Sequence, residues 1–254
     1  MMDKDEYIKM KKEQEKSSMI FFLDKLKGLD IPMPRTTIVP VDRFKLFKTL
    51  DKGKLPKPLL NKIKKIIKEE YGYPVFIRTD QASGKHFWNM SCYVEKEEEL
   101  ESHIIEVLQF NELADITGLN YKAILIREYI PMDSKFTAFI GKMPVNPERR
   151  YFIKDGKVIC RHPYWIADAI RDPSTNKWEA LLKEMNTETE EEVKLLTSYA
   201  EKISKKIKGY WSVDFCKAKD GTWYMIDMAS GFCSWHPKCD MALHINSASH
   251  KNYL

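Results

Sequence analysis

Two aspartates stand where a β pattern calls for apolar residues. Asp214 lies in "WSVDF" and Asp227 in "YMIDMA", the two arms of a hairpin whose turn is Asp220-Gly221. Asp214 precedes Asp220 by six residues and Asp227 follows Gly221 by six, so the two are expected to oppose each other across the ladder. An ionised carboxylate inside an apolar run needs a cation, a hydrogen-bond network or an exposed face. Two carboxylates facing each other repel unless positive charge lies between them. Mg²⁺ suits that pattern, because it takes one or two protein carboxylates together with phosphate oxygens. Solvent on one or both aspartates satisfies it too.

Three other stretches carry groups that would complement a phosphate-bearing ligand. In "YPVFIRTDQASGKHFW" (73–88), Arg78 ends an apolar strand and Lys85 follows Ser83-Gly84, a pair that lets a loop fold closely over a ligand. Two cations flanking a loop suit a phosphate clamp, and equally a strand running into a polar loop. In "ILIREYIPMD" (124–133) an apolar strand ends at Arg127 and Glu128. A chain leaving a buried strand presents backbone N–H and C=O groups. An adenine ring can pair with these while packing on Ile126, Tyr129 and Ile130; a solvated strand end is the plainer reading. In "NPERRYFIKDG", Glu148 and Arg150 alternate with Arg149 and Tyr151 and so share a face. That face is the floor of a polar cleft or an ordinary solvated sheet.

The segment after Gly231, "FCSWHPKCDMALHINSASH", spaces Cys233, His236, Cys239 and His244 as C-x2-H-x2-C-x4-H. Those residue types can hold zinc tetrahedrally, although the spacing matches no standard template and Pro237 interrupts it. Ordinary loop residues account for it as well. "CRHPYW" (160–165) is a second cluster of histidine and aromatics at a strand end.

The elements that must position these groups follow from periodicity. Residues 3–26 are charged with apolar positions at helical spacing, which predicts one or two helices. "IPMPRTTIVPV" (31–41) predicts a short strand. "PKPLLNKIKKIIKEE" puts Leu59, Leu60, Ile63, Ile66 and Ile67 on one helix face, with Pro56 and Pro58 at its start. Strands are predicted at 74–79, 88–95 and 122–130. A helix with an acidic first turn lies between the last two, over "EKEEELESHIIEVLQF". "FTAFIGKMP", "RRYFIKDG" and "KVICRHPYW" read as an antiparallel meander that turns at Asp155-Gly156. Thr189 to Glu192 forms a capping box for a helix running to about Lys208 and stopping at Gly209. Helices interleaved with mostly antiparallel strands make the fold class α+β, not a doubly wound parallel sheet.

Bulk properties narrow the function classes. The 254 residues suffice for one large domain or two small ones, and 43% hydrophobic residues with 12 Phe, 12 Tyr and 6 Trp exclude a disordered chain. A net charge of +5 suits a phosphate-bearing ligand but is too small to argue for nucleic acid. The N-terminus is charged where a signal peptide is apolar, and "MIFFL" is too short to span a bilayer. Five irregularly spaced cysteines fit reduced thiols, so a cytoplasmic protein without membrane contact is expected. Neither GxGxxG nor GxxxxGK[ST] occurs, which leaves the common dinucleotide and P-loop readings unsupported.

Taken in order, Arg78, Lys85 and Trp88, then "LIREYI", then "ERRYFIKDGKVI", then "VDFCKAKDGTWYMIDMA" resemble the ATP-grasp superfamily. The resemblance runs from about Ile31 to Phe232. It is to the branch containing the eukaryotic cell-division-cycle assembly factors for translation initiation factor 2. It implies two lobes with antiparallel sheets and flanking helices enclosing a nucleotide cleft, with ATP and Mg²⁺ as cofactors. By carry-over, Arg78 and Lys85 would contact phosphates and Arg127 to Ile130 would hold adenine. Glu128 or Asp133 would lie near the ribose, Glu148 and Arg150 would line the phosphate and acceptor side, and Asp214 and Asp227 would bind the metal. Arg78, Lys85 and Arg150 would be the catalytic cations. The expected division is 1–55 as an N-terminal segment, 56–121 as a small lobe and 122–254 as a large lobe with the metal-binding hairpin. One position departs from the family pattern: Ala229 stands where an asparagine is usual, with Ser230 or a water as substitute ligand. The implied activity is a ligase that activates a carboxylate as an acyl phosphate for attack by an amine. An ATP-binding assembly factor for a protein partner is the alternative, and a nucleic-acid ligase of the same fold, for which the Lys-rich face of 52–68 speaks, is the second.

Overall fold

The fold is given by a computed structural model that describes residues 3–50, 52–114 and 120–237. The chain groups into two compact units, one of Pro34–Val145 with Arg171–Asn176, the other of Met1–Met33, Asn146–Ile170 and Lys177–Leu254. Residues 122–145 thus group with the strands before them, and the N-terminal helices group with the C-terminal half of the chain.

The first unit is built on an antiparallel four-stranded sheet, in which β1 (Thr36–Pro40), β4 (Ala123–Glu128), β2 (Val75–Thr79) and β3 (Tyr93–Val94) lie in that order. Alternation along each strand sorts the side chains. Val39, Val75, Ile77, Val94, Ile124 and Ile126 face a core built with α3 (Arg43–Leu50), α4 (Lys57–Ile66) and α5 (Leu100–Ala114). Each fully buried Val or Ile there contributes roughly 1.5–3 kcal/mol. The alternate residues Phe76, Arg78, Leu125 and Arg127 stand on the face without helices.

Two segments of this unit differ from the periodicity reading. Residues 88–95 are predicted as a strand, but Lys85–Met90 forms a 3-10 turn and pairing survives only at Tyr93–Val94. Ser91 is the cause: its Oγ donates to the carbonyls of Gly84 (3.0 Å) and Phe87 (2.9 Å), so a local side-chain bond outcompetes the ladder. The "FTAFIGKMP" stretch does not join a meander. It forms a separate hairpin of β5 (Phe136–Ala138) and β6 (Met143–Val145). Phe139 (φ 66°) and Lys142 (φ 53°) adopt left-handed backbone at its tip. The tip binds the 3-10 turn through Gly141 N–H to His86 O (2.9 Å) and Asn89 N–H to Gly141 O (3.1 Å).

The second unit has the antiparallel sheet order β10 (Trp223–Ser230), β9 (Tyr210–Lys217), β7 (Glu148–Lys154), β8 (Lys157–Pro163). The predicted β7–β8 and β9–β10 hairpins are present, and Asp155 (φ 51°) and Gly156 (φ 85°) make the left-handed turn of the first. The predicted N-terminal helices are α1 (Lys4–Lys16) and α2 (Met19–Leu26). One face of the sheet is covered by α2, α6 (Trp178–Asn186) and α7 (Glu190–Lys206). The capping box that opens α7 is formed on both sides, Glu192 N–H to Thr189 Oγ1 (3.2 Å) and Thr189 N–H to Glu192 Oε2 (3.5 Å). Arg149 lies on the covered face, 1% exposed. It donates to the carbonyls of Met185 (2.8 Å) and Thr187 (3.2 Å) and pairs with Glu188 (3.4 Å), fastening the α6–α7 junction to the sheet. Burial pulls its pKa below the usual value, although the Glu188 carboxylate opposes that shift. Among the described residues no helix is long and apolar enough to cross a membrane.

Candidate functional site

The second unit brings Glu148, Arg150, Asp214 and Asp227 onto the sheet face that carries no helix. Arg150 pairs in register with Asp214, and Asp214 with Asp227. The opposition of the two aspartates depends on an irregularity that counting from the turn does not reveal. The first pairs after the turn are Trp223 with Lys217 and Met225 with Phe215. Continued unbroken, that register would set Asp227 opposite Val213, on the helix-covered face. A bulge between Met225 and Asp227 inserts Ile226 as an extra residue and returns Asp227 to the polar face opposite Asp214.

Arg150 answers the charge of Asp214. Its Nε and Nη2 donate to Oδ1 and Oδ2, both at 2.8 Å, a bidentate pair with side chains only 12% and 7% exposed. Its guanidinium also lies 4.5 Å from the Tyr164 ring centroid. Burial lowers the pKa of Arg150, but the Asp214 carboxylate more than reverses this and the net shift is upward. Asp227 is half-buried, and its Oδ1 accepts from the N–H of Met228 (2.9 Å). Glu148 is buried on the same face.

Ser230 does not take the place of the missing asparagine. It lies on the opposite face from Asp227, paired with Trp211, and its Oγ donates to Glu13 Oε2 (2.8 Å). Ser212, opposite Ala229, is the hydroxyl on the polar face, and its Oγ lies 2.6 Å from Ser234 Oγ.

The chain after β10 crosses this face strand by strand. Ser234 meets Ser212 on β9, Trp235 O accepts from Arg150 on β7 (3.2 Å), and His236 Nε2 lies 3.2 Å from Cys160 Sγ on β8. Of the four residues with zinc-like spacing, Cys239 and His244 lie outside the described residues. The other two diverge, since His236 contacts Cys160 and Phe152 while Cys233 lies beside Glu13. Among the described residues no group of three His, Cys, Asp or Glu side chains is arranged to hold a metal. The facing pair Asp214 and Asp227 fits the lesser demand of a magnesium ion whose remaining ligands are phosphate oxygens and water.

In the first unit, Arg78 and Arg127 stand on the helix-free face, each 5% exposed. Arg78 Nε donates to Thr79 O (3.0 Å), and Arg127 Nε to Thr36 Oγ1 (3.2 Å). Beside them runs a row of aromatics that sequence reasoning missed. Trp88 stacks on Tyr93 (5.6 Å, 10°) and lies 5.6 Å from Phe76, and Tyr93 lies 5.0 Å from Tyr129. The alternation of Phe76 with Arg78 was the available signal. Burial raises the phenol pKa of Tyr129 and of Tyr93.

The end of β2 is held by groups the sequence reading also passed over. Asp80 is fully buried, and its Oδ1 accepts the N–H groups of Lys122 (2.7 Å) and Ala123 (3.0 Å). Thr79 Oγ1 donates to Asn111 Oδ1 (2.5 Å). Lys85 opens the 3-10 turn directly after left-handed Gly84 (φ 64°) and is half-buried.

The remaining expected nucleotide residues do not all share this face. Ile126 is fully buried in the helix-side core, so it offers no side chain to a ring on the polar face. Glu128 pairs in register with Val75 and leaves on the same side as Ile126, where Arg35 Nε donates to it (3.3 Å). Asp133 pairs with Lys135 (3.1 Å), and Ile130 is half-buried beyond the end of β4.

With both faces described, comparison with known proteins places the fold. The family model of an ATP-grasp domain, the third family of its clade, matches residues 68–247. No curated protein matches the chain. Among solved structures it is similar to Cdc123 from Schizosaccharomyces pombe, with a TM-score of 0.59, 16% identity, and coverage of 87% of this chain and 86% of that one. A C-terminally truncated form of Cdc123 from the same organism gives a TM-score of 0.58 at 15% identity with the same coverage. D-alanine–D-alanine ligase from Bacillus anthracis complexed with ATP gives 0.44 at 15% identity, covering 85% of this chain and 53% of that one.

Proposed function

The chain belongs to this family of ATP-grasp domains, and from that premise we propose that it is an ATP- and Mg²⁺-dependent ligase. It activates a carboxylate as an acyl phosphate, which an amine or a similar nucleophile then attacks. The supporting observation is the placement of Asp214, Asp227 and Arg150 on one polar face by the bulge at Ile226.

In this reading the two helix-free faces have separate tasks. Asp227 and the free lone pairs of Asp214 hold the metal. When bound, Mg²⁺ neutralises phosphate charge and orients the terminal phosphoryl group. Arg150 fixes the Asp214 carboxylate in place before nucleotide arrives, so no reorganisation is needed at that group. Glu148 lines the same face. Arg78, Lys85 and Arg127 supply fixed positive charge for the phosphates, and the Tyr129 edge of the aromatic row receives the base. The backbone from Arg127 to Ile130 pairs with the adenine edge. No side chain is needed as a covalent nucleophile in this chemistry; positioning and charge do the work.

A second reading is an ATP-binding assembly factor for a protein partner, in which nucleotide is held and not turned over. It is favoured by the commitment of both Asp214 oxygens to Arg150 and by the methyl of Ala229 where a further ligand is usual.

Calorimetry with ATP and Mg²⁺, read beside ADP release in the presence of small carboxylates and amines, separates the readings. Binding that Asp227→Ala and Arg78→Ala each weaken by about tenfold or more supports a nucleotide site. ADP release that depends on both substrates identifies the ligase, and binding without release identifies the assembly factor. Nucleotide affinity untouched by either substitution overturns the proposal.

A further inference from the structure

The second unit holds a group of side chains that nucleotide chemistry does not use. Cys160 on β8 is half-buried, and its Sγ lies 3.2 Å from His236 Nε2. The other nitrogen of that ring, Nδ1, is hydrogen-bonded to the carbonyl oxygen of Pro237. A carbonyl only accepts, so Nδ1 carries the proton, and the neutral ring turns the Nε2 lone pair toward the thiol. Thiol, base and a third group that fixes the base tautomer are the parts of an activated nucleophile.

His162 supplies an independent sign of a ligand. It lies two residues along the same strand face and is 9% exposed. Its Nδ1 is bonded to Pro163 O (2.8 Å), while its Nε2 is buried with no hydrogen-bond partner. The ring stands edge-to-face against His236 (5.1 Å, 77°) and Trp235 (5.7 Å, 88°), so the orphaned nitrogen belongs to the same pocket. Burial lowers its pKa to about 4, with the neighbouring His236 and Arg150 adding to the shift, so it keeps a free lone pair at neutral pH. An incoming molecule with an N–H or O–H group satisfies it.

The other described cysteines lack this setting. Burial pushes the Cys92 thiol up to about 12 and raises that of Cys233, and Cys216 is buried. A metal does not account for the cluster, because among the described residues no three such side chains converge.

We propose that Cys160 and His236 form a second reactive site, in which the thiol accepts an acyl group from an activated acyl donor. Sγ attacks the carbonyl carbon and an S–C bond forms. The thiol proton passes to His236 Nε2, and the bond from carbon to the leaving group breaks with its electron pair. The leaving group departs, protonated from His236 where its basicity demands it, and a thioester remains on Cys160. This step does not depend on ATP, so its test is separate from that of the nucleotide site.

The experiment uses the full chain, without nucleotide, and p-nitrophenyl acetate as the donor. The expected result is a burst of p-nitrophenolate and a single acetyl group that peptide mapping places on Cys160 and hydroxylamine removes. The rate at pH 7 exceeds that of free cysteine by about tenfold or more, and His236→Gln lowers it by about a hundredfold, the scale of general-base assistance. Cys160→Ser abolishes the burst. Acetylation spread over lysines, an acetyl group on Cys239, or a Cys160 rate no greater than that of free cysteine overturns the proposal. The comparison with free cysteine decides the matter even if His236→Gln does not fold.

Discussion

Replacing Arg150 with methionine tests whether the polar face is built around one charge pair. The substitution keeps most of the aliphatic volume and removes both 2.8 Å bonds to Asp214. Asp214 is then left 7% exposed, with its partner gone. Breaking a buried pair from one side costs about 3–5 kcal/mol, because the surviving charge stays desolvated. A domain of ordinary stability has about 5–15 kcal/mol in hand, so the variant should fold marginally. Two controls separate charge from packing. Arg150→Lys keeps the charge but loses the fork, and should cost about 1–2 kcal/mol. The double variant Arg150→Met with Asp214→Asn removes both charges, and should recover most of the loss. Urea unfolding followed by tryptophan fluorescence gives the double-mutant cycle. A loss below about 1 kcal/mol for Arg150→Met, or no recovery in the double variant, would mean that the pair behaves like an exposed one and does not organise the face.

Three further outcomes follow from particular contacts. Deleting Ile226 removes the bulge and turns Asp227 toward the helix-covered face, so Mg²⁺-dependent ATP binding should fall by more than Asp227→Ala alone lowers it; calorimetry with an intact β9–β10 circular dichroism signature checks this. A Cβ on Gly141 would stand 2.2 Å from Trp88 N, so Gly141→Ala should destabilise the first unit by about 1–3 kcal/mol, read as a lower thermal midpoint of Trp88 fluorescence. His162 has a folded pKa of about 4 against an unfolded value near 6.5, so the fold disfavours its charged form. The stability it contributes is complete above about pH 6.5 and is lost as pH falls toward 4, by up to about 3 kcal/mol. Denaturation midpoints of His162→Gln should therefore fall less steeply than those of the native chain across that window, and parallel curves would refute the assignment.

The strands and long helices were legible because burial on one face imposes a period, as in the Ile63–Ile67 row of α4 and the apolar run of β4. Turn chemistry was legible at Asp155-Gly156, and capping at Thr189, because each depends on residues adjacent in sequence. The 3-10 turn at Lys85–Met90 was not, since Ser91 bonds back to carbonyls seven and four residues earlier and leaves no periodic trace. α3 escaped notice because its apolar residues lie all around it: Leu46 and Leu50 are buried while Phe44 is 80% exposed. Glu128 illustrates a different limit. Its type suits a ribose, but strand alternation sends it to the side away from Arg127.

The aspartate pair carries the sharper lesson about sites. Counting six residues on either side of the turn placed the two carboxylates opposite each other, and they are opposite. The connection between the paired ends Lys217 and Trp223 holds an odd number of residues, however, and by itself would have put them on different faces. One unpaired residue, Ile226, restores the parity. Composition chose aspartate at both positions, but a single backbone insertion decides whether they act together. Residue types announce a chemistry, and the register, which no residue type announces, assembles it.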